Sequence, residues 1–386
     1  MKIALIGPAF PYRGGIAHHT NMLSQYLRRH GHTVDVISFT RQYPKLLYPG
    51  RHQDELGDGG GFAGTVTSER LIDSINPFNW IKVGRLLRSR EYDVHVFRFW
   101  LPFFGPAFGT MARLAHRRGR KDIAILLDNF IPHESNPANV LLTNYLFRYC
   151  NFAITQSTTV QKQLAAHFPA IPSVMLPHPM YENFGARLPQ AETRARLGIT
   201  ASKVLLFFGF VRAYKGLDRL LDAMPEIVRR MPDVHLLVVG EFFDDPAPYM
   251  EQIRRGGVEA HVTVVNRYVA NDEVADWFSA SDAVVLPYHS ATNSGIAQIA
   301  YNFATPVVVT DVGSLGEVIL DGCTGFVLKE ATPVAIADAV QKLYVGDTLQ
   351  RFAANIVVER VKYGWDAFVE GMTAFIRHMQ GEDATP

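Results

Sequence analysis

YHSATNSGIAQIAYNFATPVVVTD, residues 288–311, holds the pattern on which the fold turns. From Ser294 the apolar positions Ile296, Ile299, Ala300 and Phe303 recur at helical spacing, and Pro306 stops the run before Val307, Val308 and Val309. A short helix delivered into a uniformly apolar, β-branched run is one half of a parallel-sheet unit, because only strands covered on both faces read this way. Ser294 and Gly295 at the helix start present unpaired N–H groups and the positive end of the helix dipole, and glycine leaves a phosphate room to approach. An ordinary serine-capped turn leaves the same signature. Between His289 and Pro306 the one conventional acid or base is His289, so chemistry at this turn would be electrostatic.

The same alternation extends in both directions. In the second half, strands are expected at Val204–Phe210, His235–Gly240, Val262–Asn266, Ala283–Pro287, Pro306–Thr310 and Gly325–Leu328. Leu217, Leu220, Leu221, Met224, Ile227, Val228 and Met231 mark a helix face, with Pro225 expected to kink it or shift its boundary. Asn271 and Thr332 read as N-caps, the latter before Pro333. In the first half, strands are expected at Lys2–Gly7, Thr33–Phe39, Asp93–Phe99, Asp122–Leu127, Phe152–Gln156 and Ser173–Leu176. Helical patterns separate most of them: Ile16–His30, Trp80–Arg88, Phe104–Arg118, Asn139–Tyr149 and Thr158–His167.

Two such series imply an α/β protein with two doubly wound, Rossmann-like domains, which 386 residues can accommodate. The expected division is 1–180, 181–364 and a final aromatic helix within 365–386 that returns to the first domain, the boundary falling in the proline-rich Pro169–Thr200. Residues Gln53–Gly64 read as a polar loop.

Composition is that of a globular protein, 48% hydrophobic and 19% charged, and a net charge of +1 gives no basic field for nucleic acid. Cys150 and Cys323 lack a CxxC partner, which fits a reduced compartment. The apolar start MKIALIGPAF is too short for a signal peptide, and Phe99–Ala112 is too short and proline-broken to span a bilayer. A cytoplasmic location is the expectation.

Two further motifs sit at expected strand ends. In GPAFPYRGGIAHH, Gly14 and Gly15 precede a helix and would let an anion reach its N–H groups, although a tight turn explains them equally and GxGxxG is not matched. In FFGFVRAYKGLDRLL, residues 207–221, Arg212 and Lys215 leave the loop after a strand. A forked guanidinium and a point-charge ammonium three apart suit a diphosphate; two solvated loop cations are the bland alternative.

Residues 207–328 resemble the nucleotide-binding half of the group 1 glycosyltransferases (glycosyltransferase family 4), through FGFVRAYKGLDRLLDA, LLVVGE, DAVVLPY, NSGIAQIAYNFATPVVVTDVGSLGEVI and DGCTGFVL. PYRGGIAHHTNMLSQYLRRHGHTVDV and DNFIPHE extend the resemblance over nearly the whole chain. It implies the GT-B architecture, two such domains facing a cleft, and metal-independent transfer of a sugar from a nucleotide-diphosphate donor with retention of configuration and no cofactor. By position it implies that Arg212 and Lys215 hold the diphosphate, and that Asn293, Ser294, Gly295 and Ile296 contact phosphate and donor sugar. Tyr268 would meet the base, and Gly14 and Gly15 would line the phosphate and acceptor side. The chain departs from the family pattern at Ala291 and Ile299, where paired glutamates are usual, and at Asp128-Asn129, where a His-Asn or His-Asp pair is usual. Asp128 and His133 are the local candidates for polar contact with the transferred sugar.

Phe99, Trp100, Phe103, Phe104 and Phe108 precede Arg113, Arg117, Arg118, Arg120 and Lys121. That order suits peripheral docking on an anionic membrane holding a lipid-linked acceptor, and equally a buried strand–helix unit with a basic helix end. The expected function is a retaining glycosyltransferase acting on a glycan, lipid-linked or small-molecule acceptor. A sugar-nucleotide epimerase or phosphorylase of this architecture, or a nucleotide-sugar-binding subunit without catalysis, are the alternatives.

Overall fold

The computed structural model describes residues 1–44, 54, 65, 67–129, 137–291 and 294–382. The chain divides into two compact units, Met1–Pro179 with Tyr363–Pro386, and Met180–Lys362.

The first unit holds a seven-stranded sheet: β1 (Lys2–Ile6), β2 (Thr33–Arg41), β3 (Ser68–Asp73), β4 (Val94–Phe99), β5 (Ile123–Leu127), β6 (Phe152–Thr155) and β7 (Ser173–Met175). Their order is β3-β2-β1-β4-β5-β6-β7, all neighbours parallel. Chain order reverses between β1 and β4, which makes that gap the switch point of the sheet. β3 is absent from the sequence expectation because SERLID is mostly polar. It is an edge strand paired with β2 alone, and only Ile72 is fully buried.

Both faces of this sheet are covered, which is why its strands read as near-continuous apolar runs. One face packs Phe39, Phe97 and Phe99 against Phe104, Phe108 and Met111. The other packs Val34, Val94, Leu126 and Phe152 against Trp365, Phe368 and Met372 of the helix Trp365–Gln380. Each such side chain contributes roughly 1.5–3 kcal/mol by leaving water. Most aromatic residues from Phe99 to Phe108 are therefore core: Phe99, Phe104 and Phe108 are fully buried, Trp100 nearly so, and Phe103 packs partly buried against them. They do not form a lipid-facing surface.

The second unit holds β8 (Lys203–Phe208), β9 (Val234–Val239), β10 (Val262–Val265), β11 (Ala283–Leu286), β12 (Val307–Thr310) and β13 (Gly325–Leu328), ordered β10-β9-β8-β11-β12-β13 and all parallel. Its switch point lies between β8 and β11. The helix Leu217–Arg230 runs through Pro225 without ending there. Leu217, Leu220, Leu221, Met224 and Ile227 bury its opposite face, and that packing outweighs the ~3 kcal/mol an interior proline costs. Thr332 caps its helix by accepting from Ala335 N (3.2 Å), with Pro333 following. Asn271 lies inside a 3₁₀ turn, Asn271–Glu273, that leads into the helix Val274–Ala280, so the α-helix begins later than expected. Among the described residues no helix is long and apolar enough to cross a membrane.

Candidate functional site

At the switch point of the second sheet, β8 is followed by Gly209, whose φ of +92° only glycine adopts readily. A β-carbon there would lie 2.9 Å from Ile296 Cδ1 and 3.3 Å from Lys215 Nζ, so the glycine is what admits both. Gly216 plays a similar part from the other side. At φ +67° its backbone comes so close to the end of β11 that a β-carbon would sit 2.0 Å from the Pro287 oxygen. The 3₁₀ turn Ala213–Lys215 is thereby pressed against the end of β11, and its lysine Nζ lies near Gly209 after β8 and Tyr288 after β11.

Lys215 is 8% exposed. Its ammonium lies 5.9 Å from the Tyr288 ring centroid, and it has no salt bridge among the described residues. Burial, and then the nearby Arg212, lower its pKa to about 7. Arg212 begins the same turn, is exposed, and holds its guanidinium 4.4 Å from the Phe243 ring centroid.

Across the gap the helix Gly295–Asn302 begins at Ser294, whose Oγ accepts from Ala297 N (3.4 Å) and lies 3.4 Å from the Tyr288 hydroxyl. The serine hydroxyl thus serves the cap. The N–H groups of Gly295 and Ile296 have no hydrogen-bond acceptor among the described residues, as expected for the first turn of a helix. Gly295 lies against Tyr181, where a β-carbon would come within 3.1 Å of the ring. Tyr288 is held in turn by Thr310, which donates to its carbonyl (2.6 Å).

Aromatic rings flank this cluster. Phe210 stacks near Tyr268 (6.0 Å, 30°) and Phe243 (4.7 Å, 41°), so the ends of β8, β9 and β10 share a π-rich surface. Ile299 is 6% exposed and belongs to the buried side of its helix. Of the two acids in this unit that could meet a ribose, Glu241 is buried after β9 and Glu317 is exposed.

The structure therefore gathers Arg212, Lys215, Ser294, Gly295 and Ile296 around Gly209 and Tyr288, with Tyr268 among the flanking rings. Gly14, Gly15 and Asp128 lie in the first unit, while His133 and Asn293 fall outside the described residues. Gly14 takes φ +102° and precedes the helix Gly15–Arg29. Asp128 follows β5 and is gripped by Arg98 of β4, with Nε 2.7 Å from Oδ2 and Nη2 2.5 Å from Oδ1. Arg98 is 1% exposed and packs on Gly7 at the switch point of the first sheet. Its Nη1 also donates to His19 Nδ1 (2.5 Å). Burial and Arg98 hold the His19 pKa well below the usual histidine range, so His19 is neutral and carries its proton on Nε2. Gln156 lies 2.8 Å from that Nε2 and must face it with its amide oxygen.

Sequence reasoning missed Arg98, Tyr181, Phe210, Phe243 and Tyr288 as parts of these clusters. An arginine inside the apolar run VHVFRF was a signal for the first, since a buried guanidinium requires an acceptor. The aromatic residues carried none, being equally good core.

Residues 202–345 match the family described as Glycosyl transferases group 1, and residues 13–179 match Glycosyltransferase Family 4. Among curated relatives, the D-inositol 3-phosphate glycosyltransferase of Frankia alni is 30% identical over 49% of this chain and 48% of its own. The protein of the same name from a Nocardioides species is 29% identical over 92% of this chain and 82% of its own. The chain spans about half the length of several relatives it matches, 43% for that of Segniliparus rotundus. Among solved structures, sucrose-phosphate synthase from Thermosynechococcus elongatus superposes with TM-score 0.74 at 17% identity, covering 98% of each chain. HepE of Anabaena, solved with UDP and glucose, gives TM-score 0.75 at 17% identity, covering 98% of this chain and all of the other. At these identities the structural likeness is one of fold.

Proposed function

Since the chain belongs to the group 1 glycosyltransferases, we propose that it transfers a sugar from a nucleotide-diphosphate donor to a hydroxyl acceptor with retention of anomeric configuration. The observation that carries this reading is the cluster at the second switch point. A buried ammonium without a carboxylate partner among the described residues lies against Gly209 together with Ile296, from the first turn of the helix Gly295–Asn302. Buried cations need a counter-charge, and a diphosphate supplies one.

In this reading Arg212 and Lys215 donate to the diphosphate, and the helix N-terminus stabilises the charge that grows as the sugar–phosphate bond breaks. The rings of Phe210, Phe243 and Tyr268 offer stacking surfaces for the base. The acceptor oxygen bonds to the anomeric carbon while the bond from that carbon to the phosphate oxygen breaks. The acceptor proton passes to a phosphate oxygen of the departing nucleotide, so the site needs no protein base. Charge neutralisation by these groups would take the place of a metal. UDP is the first donor nucleotide to test, because HepE is solved with it. D-inositol 3-phosphate is the first acceptor, because relatives carry that name.

The experiment is a thermal-shift screen of UDP-, GDP- and ADP-sugars, followed by product detection with the stabilising donor. Arg212→Ala should keep the fold and lose roughly a hundredfold or more in turnover. No shift with any donor, or full activity in that variant, would defeat the assignment. A nucleotide-sugar-binding subunit without catalysis remains the second reading, favoured by the apolar Ile299. It predicts the donor shift with no transfer or hydrolysis.

A lipid-linked acceptor is supported by the basic part of the segment the sequence suggested, with exposed Phe78 in place of the buried Phe99, Phe104 and Phe108. Lys82, Arg85, Arg113, Arg118, Arg120 and Lys121 are exposed on the helices Pro77–Ser89 and Gly105–Ala115 and the turn after them. The two helices pack together, with a β-carbon at Gly84 falling 2.9 Å from Leu114 Cβ. Phe78 stands 84% exposed on the first helix. Cations with an apolar residue beside them suit an anionic bilayer.

A further inference from the structure

Beside the 3₁₀ turn that carries Lys215 lies an open depression of about 550 Å³ with its own chemistry. Tyr214 and Tyr249 supply its apolar walls, and Asp218, Gln252 and His289 its polar rim. Its volume falls within the roughly 300–1,000 Å³ typical of small-molecule sites.

The rim is held in place by its own bonds. His289 Nε2 lies 3.0 and 3.1 Å from the two Asp218 oxygens, and His289 N donates to the Tyr214 carbonyl (2.7 Å). Gln252 donates through Nε2 to the Asp218 carbonyl (2.7 Å) and to the Asp222 carboxylate (2.5 Å). These contacts fix the planar groups before any ligand arrives, which lowers the ordering cost of binding. Gln252 Oε1 and the remaining lone pairs of Asp218 still accept, and tyrosine hydroxyls both donate and accept.

Among the described residues the depression is lined by a carboxylate and by no lysine or arginine, so it does not suit a phosphate or another anion. Two aromatic rings beside fixed acceptors suit a ligand with an apolar C–H face and a belt of hydroxyls. The electron-rich ring face attracts the weakly positive C–H groups, and the rim takes the hydroxyls. We propose that this depression is a binding subsite for a neutral pyranose unit, distinct from the Lys215 cluster although Tyr214 and Lys215 are adjacent in sequence. The choice of a sugar over another polyol rests on the glycosyltransferase reading.

The test is saturation-transfer NMR on the full chain with the methyl glycosides of glucose, galactose, mannose and N-acetylglucosamine, with and without saturating UDP. At least one glycoside should bind saturably, and UDP should leave that binding in place. Tyr249→Ala should weaken it at least about tenfold. Because Tyr249 packs on Phe242 (5.6 Å), that variant is paired with Ala213→Trp, which fills the depression from an exposed rim position and should weaken binding as strongly. Absence of binding by all four glycosides, displacement by UDP, or unchanged affinity in folded Ala213→Trp would each overturn the proposal. The donor reading fails separately, through the absence of a thermal shift with nucleotide sugars.

Discussion

Arg98 and Asp128 form a two-pronged ion pair in which the guanidinium is 1% exposed and the carboxylate side chain 12%. The pair fills the switch point of the first sheet, the place where an open α/β sheet ordinarily takes a ligand. Removing one member leaves a buried charge, which typically costs about 3–5 kcal/mol. Asp128→Ala should therefore lower the melting temperature on the order of 10 °C. The double variant Arg98→Met, Asp128→Leu should recover much of that loss. Calorimetry decides: a single variant as stable as the wild type would mean that the pair contributes nothing. If Asp128 also meets the transferred sugar, the double variant will be folded and inactive.

Lys215 gives a pH prediction. Its pKa in the ligand-free protein is depressed to about 7, by burial first and Arg212 second. A bound diphosphate favours the charged form and so raises that pKa. Donor binding should then take up protons above about pH 7, and donor affinity should fall up to about tenfold per pH unit there. Below that value the ammonium is already charged and affinity should be flat. Calorimetry in buffers of different ionisation enthalpy measures the uptake. Lys215→Arg, charged throughout, should bind without it. Proton uptake by that variant equal to wild type would remove Lys215 from the donor site.

Ile299 occupies the position where a ribose-binding glutamate would be expected, and it is buried. Ile299→Glu should not improve donor affinity, and it should destabilise the second unit by roughly 2–7 kcal/mol, the cost of burying a polar group without partners. Thermal melts and calorimetry with ribose and 2′-deoxyribose donors test this together. Tighter binding selective for the ribose form would contradict it.

The basic face predicts salt-sensitive flotation with anionic vesicles. Arg113→Glu with Arg118→Glu and Arg120→Glu should abolish it without changing the melting temperature, and Phe78→Ser should weaken it. Trp100→Ala should instead act through the core, because that ring packs 4.3 Å from Phe104. Flotation lost in Trp100→Ala but retained in the charge-reversed protein would overturn the assignment of the face.

The two-sheet fold was legible because strands buried on both faces leave unmistakable runs, as in VVVT or VHLLVV. The edge strand β3 was not, since an exposed edge can be polar. The α-helix expected to start after Asn271 begins later because a 3₁₀ turn comes first. Phe99 to Phe108 were ambiguous for a stated reason: an aromatic run beside a basic helix end looks the same whether it covers a core or a bilayer. Arg212, Lys215 and Ser294 to Ile296 could be singled out because they follow apolar strand runs, although a capped turn and solvated loop cations leave the same signature. Arg98 was not, because its partner lies thirty residues on and only β4–β5 pairing brings them together.

The helix Trp365–Gln380 has a bearing on biosynthesis. Trp365 is 1% exposed and packs 4.7 Å from His19 and 5.7 Å from Tyr26, so it completes a core begun some 340 residues earlier. While the chain leaves the ribosome, the intervening unit Met180–Lys362 can close on its own, but one face of the older sheet stays open to water until this helix emerges. The amino-terminal sheet is thus made before the second unit and covered after it, and in that interval a chaperone would find its Val- and Phe-lined surface exposed.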